Sequence, residues 1–498
     1  MAIQAQFDTY RYVGEVCRLR GQSIVECRLP GSEISSVLAA QAVATPAECV
    51  CADGEVRYGG KVVISIVYED GDKRVCRAER GAEFFHKAEG GAVSPACFAK
   101  AALSTENISW RREGSGLYIS VIVDAELYVY GGKQMEYLSG GDGIFIQTQP
   151  QTVWKSVCIS GETEGEDSFD ADYVGDILTH SERAVANRVT ASDGTLKVDG
   201  EMAVHICVLK PDGGVCGYER LLPFSMQIPC DEAYGEVGAS ARVRVKACHL
   251  AADVDEEKGK SKMTFTYCLA ADCFLDIKDE IVTVVDAFST VCDLQLKTQK
   301  GGGRYLTNTV KRVERVGGLA ALSPIVDGEY ALQAAVLPRV ELACKKSDDG
   351  FEVEGAVLAE VFFCGADGGH RSATLSLPFV FPLDIDGEEV EADGIVCGLN
   401  IRRKKDGETE AEATLKLCVR AYKNGEWGYV DELNEGEKYA EERSAFSVYI
   451  PKANEELWEL AKRLHRSPES LKESNPHLQF PVRSGERIFV YRQIAQKR

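Results

Sequence analysis

Along most of this chain the apolar positions recur every second residue, the period of a strand. Val62, Ile64 and Ile66 alternate with Val63, Ser65 and Val67, and the same alternation runs through Ala203–Leu209 and Val357–Phe363. Asp70–Gly71, Asp212–Gly213 and Asp367–Gly368 follow these runs, and Asp and Gly tolerate the backbone angles of tight turns, so each run is predicted to open a hairpin. The last fifty residues change period. Leu457, Trp458, Leu460, Ala461 and Leu464 fall at helical spacing. Ser467–Pro468–Glu469 reads as a second helix start, and Asn475–Pro476 as its end. With strands at Ser447–Ile450 and Ile488–Tyr491, the tail is predicted to be a strand–helix–helix–strand unit.

The strand pattern repeats three times. Aligned on Gly60, Gly200 and Gly355, Phe84, Phe224 and Phe379 each fall 24 residues later, and Val37, Ile177 and Leu332 each fall 23 residues earlier. The anchor glycine marks a bulge or a close approach of two backbones. The first copy is expected to turn two residues earlier than the others and to regain register by Phe84. A lead-in helix or strand is expected near Ile34–Ala44. A second strand pair follows in each copy: Ser109–Gly132 in the first, two runs joined by Asp255–Ser261 in the second, and a pair turning at Lys405–Asp406–Gly407 in the third. The fold class is therefore mainly β: three tandem antiparallel modules, each a sheet or sandwich with one solvated face, followed by a small βααβ domain. The polar stretches Gly161–Asp172, Lys297–Arg304 and Asn434–Ser444 read as connections. They predict domains at 1–160, 161–297, 298–440 and 446–492, with separate cores and relative motion between them.

Charge and cysteine content narrow the class. The formal net charge is −21, which argues against a nucleic-acid partner. Residues 447–498 alone carry ten Lys and Arg against six Glu, so a basic tail follows an acidic body. That body's charge serves solubility, or else the tail meets an acidic partner or an anionic surface. The eighteen cysteines are scattered through apolar strands without a CxxC pair and read as small buried hydrophobes in a reducing compartment. The one close pair, Cys49 and Cys51, reads as same-face core. His249 beside Cys248 lacks a second ligand pair at zinc spacing, so no metal site is expected. No signal peptide and no membrane-spanning run are expected. Phosphate-loop, metalloprotease and nucleophile-elbow motifs are absent from the sequence, so neither an enzyme nor a cofactor is expected.

The repeated pattern, in Gly54–Tyr68 with Glu79–Phe84 and in Gly194–Leu209 with Glu219–Phe224, resembles the SPOCS family of β-rich modules. The third copy keeps Leu377–Pro378–Phe379, the first has Glu83 where the family has Pro, and Asp286–Thr290 resembles the family's closing motif. The tail is similar to LysM domains through Leu457–Trp458, Leu471, Asn475–Pro476, Pro481 and Gly485–Ile488. Glycan-binding LysM domains carry Gly–Asp–Ser/Thr before the Leu–Trp pair, where this chain has Asn454–Glu455–Glu456. The resemblance places the binding loops at Ala453, Asn454, Glu455 and Glu456 and at Asn475, Pro476, His477, Leu478 and Pro481. The combination is similar to spore-envelope morphogenesis proteins of the SipL and SpoVID kind. It implies a non-enzymatic scaffold in the mother-cell cytoplasm at the forespore and spore-coat surface, with a SpoIVA-like coat ATPase and other coat proteins as partners. The alternative it leaves open is peptidoglycan, a polymer containing N-acetylglucosamine.

Overall fold

The computed structural model describes residues 3–491 apart from 30–33, 115, 236, 256, 258, 327–328, 349, 405–407, 441–445, 453 and 484. It is mainly β, with antiparallel sheets and two short helices. The first block holds β1 (Gln4–Leu29), β2 (Ile34–Pro46), β3 (Val50–Ala52), β4 (Glu55–Asp70), β5 (Val75–Glu89), β6 (Phe98–Glu113) and β7 (Gly116–Asp142). The second holds β8 (Phe145–Asp172), β9 (Asp176–Ser192), β10 (Thr195–Leu209), β11 (Val215–Pro229), β12 (Val237–Asp255) and β13 (Lys260–Phe288). The third holds β14 (Cys292–Ser323), β15 (Ala331–Ser347), β16 (Gly350–Cys364), β17 (His370–Leu383), β18 (Glu389–Arg403) and β19 (Thr409–Lys438). The tail holds β20 (Phe446–Tyr449), α1 (Leu457–Arg463), α2 (Pro468–Ser474) and β21 (Ile488–Tyr491).

Each block pairs its strands in the same way. A meander, β2–β4–β5, β9–β10–β11 or β15–β16–β17, faces a second sheet in which the block's first strand pairs with its last: β1 with β7, β8 with β13, β14 with β19. In the third block Ala321–Ser323 of β14 also pair with β17. One apolar core lies between the two sheets of each block. In the first, Val62, Ile64 and Ile66 of β4 meet Ile119, Val121 and Val123 of β7.

The repeat is visible in atomic detail. Val37, Ile177 and Leu332 pair with Tyr68, Val208 and Phe363, each eight residues past the anchor glycine. A Cβ on Gly60, Gly200 or Gly355 would run into the backbone oxygen of Thr45, Val185 or Glu341, so the glycine is required by a close strand approach. In the second and third copies the cross-strand Phe224 and Phe379 rings also cover it. The expected early turn in the first copy is not found. Lys73, Gly213 and Gly368 all take positive φ at the same distance from the anchor, and the turns close through matched bonds: Asp70 N–H to Arg74, Lys210 N–H to Gly214, and Gly365 N–H to Gly369. Lys73 holds the position that glycine occupies in the other copies, which hid the match.

The expected connections also differ. Gly161–Asp172 is not a linker: it is the end of β8, paired residue by residue with Ala271–Lys260 of β13, with Glu162, Glu164, Glu166, Asp170 and Asp172 on its exposed face and Asp167 on the other, paired with Arg220 (3.1 Å). Lys297–Arg304 is likewise inside β14, where Gly301 leaves room for Trp427 and Gly303 lies against Trp154. First-to-last pairing therefore divides the body between 142 and 145 and between 288 and 292, not at 160 and 297. Part of Asn434–Ser444 belongs to β19, and 441–444, like the turn at 405–407, lies outside the described residues. The lead-in segment is strand β2.

The blocks do not have wholly separate cores. Val67, Cys207 and Phe362, each seven residues past its anchor glycine, meet in one buried cluster with Leu38 and Leu178. These two leucines are unpaired bulge residues at equivalent places. The third copy has Gln333 at that bulge, and its Oε1 accepts the Val215 N–H (3.4 Å). Lys73 pairs with Asp367 (2.8 Å), Glu69 accepts the His370 N–H, and Gln41 donates to the His180 carbonyl (3.0 Å), so every block touches both others. The meander strands are consequently covered on both faces here, against the expected solvated face: residues 202–208 of β10 are all buried. A second junction joins the long ribbons through Met135, Val153, Ile281 and Trp427, with Leu138, Val284 and Val430 beside it.

Candidate functional site

The tail folds as its sequence pattern requires. Ser467 caps α2, its Oγ accepting the Ser470 N–H (3.0 Å), with Pro468 in the first turn. Strands β20 and β21 pair from Phe446↔Tyr491 to Tyr449↔Ile488. Leu460, Ala461, Leu464, Leu471, Val482, Ile488 and Val490 form the core.

That core is not closed by the tail alone: Phe288, from the end of β13, is buried within it. The Trp458 ring meets Phe288 edge-on (4.9 Å between centroids), and its indole N–H donates to Asp286 (2.8 Å). Lys462 pairs with the other Asp286 oxygen (2.6 Å), and His465 stacks on Tyr439 (3.5 Å). Ser289, in the same Asp286–Thr290 stretch, is fully buried and donates to the Gly143 carbonyl (2.9 Å). The tail is thus seated on the body by the stretch of β13 that the sequence singled out, through one face of α1.

The two expected loops come together. The Asn454 N–H donates to the Val482 carbonyl (2.9 Å) and the Val482 N–H to the Glu455 carbonyl (3.1 Å). Within this pair the expected residues separate. Asn454, Glu456, Pro476, His477 and Pro481 are exposed and Leu478 is half-buried. Asn475 is fully buried: its amide donates to the Leu471 and Phe489 carbonyls, and its oxygen accepts the Phe489 N–H (2.7 Å). It holds α2 to β21 and offers nothing to a ligand, so it is withdrawn from the loop set. Glu455 is turned inward, accepting the Lys452 N–H (2.7 Å) and pairing with Arg463 (3.1 Å), so its carboxylate does not crowd the loop mouth as its position in sequence suggests. Ala453 lies outside the described residues.

The structure adds a surface that alternation alone did not single out. Phe446, Val448, Ile450 and Tyr491 are 48, 45, 73 and 59% exposed on the outer face of the two-stranded sheet. The Phe446 ring contacts Phe489 and Tyr491, and His477 of the second loop lies against Phe489 (5.7 Å). Loops and sheet face are therefore one continuous surface, apolar at its centre.

Chemistry elsewhere is concentrated at the block junction. Glu391 faces Arg304 (2.7 Å), Arg242 (3.1 Å), Arg18 (3.2 Å) and Arg420 (3.8 Å), drawn from all three blocks. Burial alone would push its carboxyl up; the four guanidinium groups overcome this and hold it at about 2. Nearby Asp276 is pushed up to about 6 by burial, against the Leu306 N–H bond and the Arg304 charge. The cavity there, about 30 Å³, has room for about one water. These charges satisfy one another and read as an inter-block clamp. A larger groove of about 650 Å³ is lined by Arg11, Lys133 and Lys155 beside Tyr12 and Val157, with no Ser, Cys or His in its lining.

All eighteen cysteines are unpaired and buried or half-buried; burial pushes the Cys49 and Cys273 thiols up to about 11 and 12. Among the described residues, His180, Glu182 and Cys248 bring metal-type donor atoms together. No helix among the described residues is long and apolar enough to cross a membrane. No family model matches the chain, and no curated protein or solved structure is significantly similar to it.

Proposed function

We propose that this chain is a non-enzymatic scaffold for spore-coat and envelope assembly, with SPOCS-like blocks as its body and a LysM-like tail as its docking head for a SpoIVA-like coat ATPase. The observation that carries the reading is the division of the tail into two faces. The Trp458 face is committed to Asp286 and Phe288, whereas the loops and the Phe446–Val448–Ile450–Tyr491 face remain exposed. Aromatic and aliphatic groups clustered in this way are typical of a protein-binding centre. The interlocked blocks support the scaffold half of the reading, since they hold the tail on a body whose parts are tied together at two junctions.

The test is binding of the purified ATPase to the full chain and to Val448→Asp, Ile450→Asp and Tyr491→Ser. Affinity is expected to fall at least about tenfold in each variant, the loss of a single anchor. A chain ending after Lys438 that binds as well as full length would sink the proposal. A peptidoglycan-binding role is the second reading, favoured by the inward turn of Glu455, which takes one of the two loop carboxylates away from the mouth. Saturable binding of N-acetylglucosamine oligomers by the full chain, without ATPase binding, would favour it.

A further inference from the structure

His180 and Glu182 are two residues apart on β9 and so share a strand face. Strands β9 and β12 are edge strands of the second block's two sheets, and Cys248 on β12 faces this pair. One ligand atom from each of the three residues lies within 4.8 Å of the others. We propose that His180, Glu182 and Cys248 form a binding site for a divalent cation of the zinc class, bridging the two sheets of the second block along their edge.

The internal repeat supplies the argument that the fold does not require these residues. His180 pairs with Ile206 and Glu182 with Val204; the matching ladder positions in the first block are Ala40 and Ala42, paired with Ile66 and Ile64. In the third block Ala335, paired with Val361, stands for His180, and counting from the anchor glycine puts Leu337 in place of Glu182. The facing strand can be aligned on the bulge that each block carries, between Thr105 and Asn107, Val245 and Ala247, and Val396 and Gly398. Two residues beyond it stand Ile108, Cys248 and Leu399. The first block packs Ala40, Ala42 and Ile108 into its core at these places, and the third packs Ala335 and Leu399 there while Leu337 turns into the inter-block cluster; the second carries metal donors at all three.

The donor set defines the ligand. A thiol and an imidazole select a borderline-soft cation over magnesium or calcium, which take oxygen ligands. Three protein donors leave a fourth tetrahedral position for water or a partner's donor. In the metal-free chain Glu182 hydrogen-bonds His180, and a cysteine off the metal is a thiol at neutral pH. Binding forms the metal–sulfur bond, breaks the S–H bond and releases that proton to solvent. Gln41 of the first block donates to the His180 carbonyl (3.0 Å), so the site lies beside the seam between two blocks. This site is independent of the partner reading above.

The test is a Zn²⁺ titration of the chelator-stripped full chain against a chromophoric competitor, with Co²⁺ as a spectroscopic probe. One equivalent is expected, with a thiolate-to-cobalt band that is lost in Cys248→Ser although seventeen other cysteines remain. The triple variant His180→Ala, Glu182→Ala, Cys248→Ile, which installs the first block's residues, is expected to lose at least about 100-fold in affinity while keeping its circular dichroism. No uptake against the competitor would overturn the proposal. So would a triple variant that binds with unchanged affinity, or a cobalt band that survives in Cys248→Ser.

Discussion

Asp286 is the group through which the tail is latched, and removing it has a calculable effect. Its carboxylate, 26% exposed, accepts the Trp458 indole N–H at 2.8 Å and pairs with Lys462, 47% exposed, at 2.6 Å. The lysine pair is largely solvated and contributes under about 1 kcal/mol. The indole bond to a charged acceptor is half-buried and contributes about 1.5–3 kcal/mol. Asp286→Ala should therefore lower the free energy of undocking by about 2–3 kcal/mol. Read as hydrogen exchange of the α1 amides, in conditions where opening is a rapid pre-equilibrium, that is about 30- to 150-fold faster exchange. Trp458→Phe removes the same bond but keeps a ring against Phe288. The double variant should thus lose less than the sum of the singles, by at least about 1 kcal/mol. Coupling below about 0.5 kcal/mol, or unchanged α1 protection in Asp286→Ala, would refute the latch.

Other expected outcomes test the body. Glu391, held at about 2 against 4.5 for the free group, contributes stability that is complete above pH 4.5 and lost as pH falls toward 2, about 3 kcal/mol in all. Asp276 works in the opposite sense: raised from 3.8 to about 6, it costs stability above pH 6 and relieves that cost as pH falls toward 3.8. Urea midpoints against pH should accordingly show a loss below pH 4.5 that Glu391→Gln flattens, and a gain from pH 6 to 4 that Asp276→Asn flattens. Glu391→Gln should also destabilise by about 3–5 kcal/mol at neutral pH, because it strands buried guanidinium groups. Gly200→Ala, whose Cβ meets a backbone oxygen that cannot give way, should cost about 2–3 kcal/mol. Gly213→Ala, with open space but φ of 85°, should cost about 1 kcal/mol, and equal shifts in melting would refute the close-approach argument. Gly301→Ala should displace Trp427 and quench or shift its fluorescence; an unchanged spectrum and melting temperature would contradict the packing described.

What could be read from the sequence was local. Alternation gave the strands and Ser467–Pro468 the start of α2, because each depends on neighbours a few residues away, and the repeat showed because the same offsets recur around Gly60, Gly200 and Gly355. The rest depended on partners far along the chain. The glycines at 301–303 look like a connection until Trp427 is placed against Gly301 and Gly303. The acidic run at 161–172 looks like a linker until β13 is laid beside it. Lys73 disguised a turn that its two counterparts build on glycine. In the candidate surface, the exposed loop tips were legible, but Asn475 was not distinguishable from a ligand contact, since its three hydrogen bonds go to Leu471 and Phe489. The seat on Asp286 was marked as a motif without a role. His180 and Cys248 lie 68 residues apart, beyond any spacing rule for metal ligands.

The joint at Val67, Cys207 and Phe362 has a consequence for how such a chain can change. Three identical subunits meeting on an axis would have to place the same side chain three times, and any substitution would appear in triplicate. Because the copies are covalently tied, one small, one intermediate and one large residue share a single space, and their association needs no encounter and follows no dilution law. Each copy is thereby released from likeness to its neighbours. One block can seat the tail at Phe288 without any loss of the common centre.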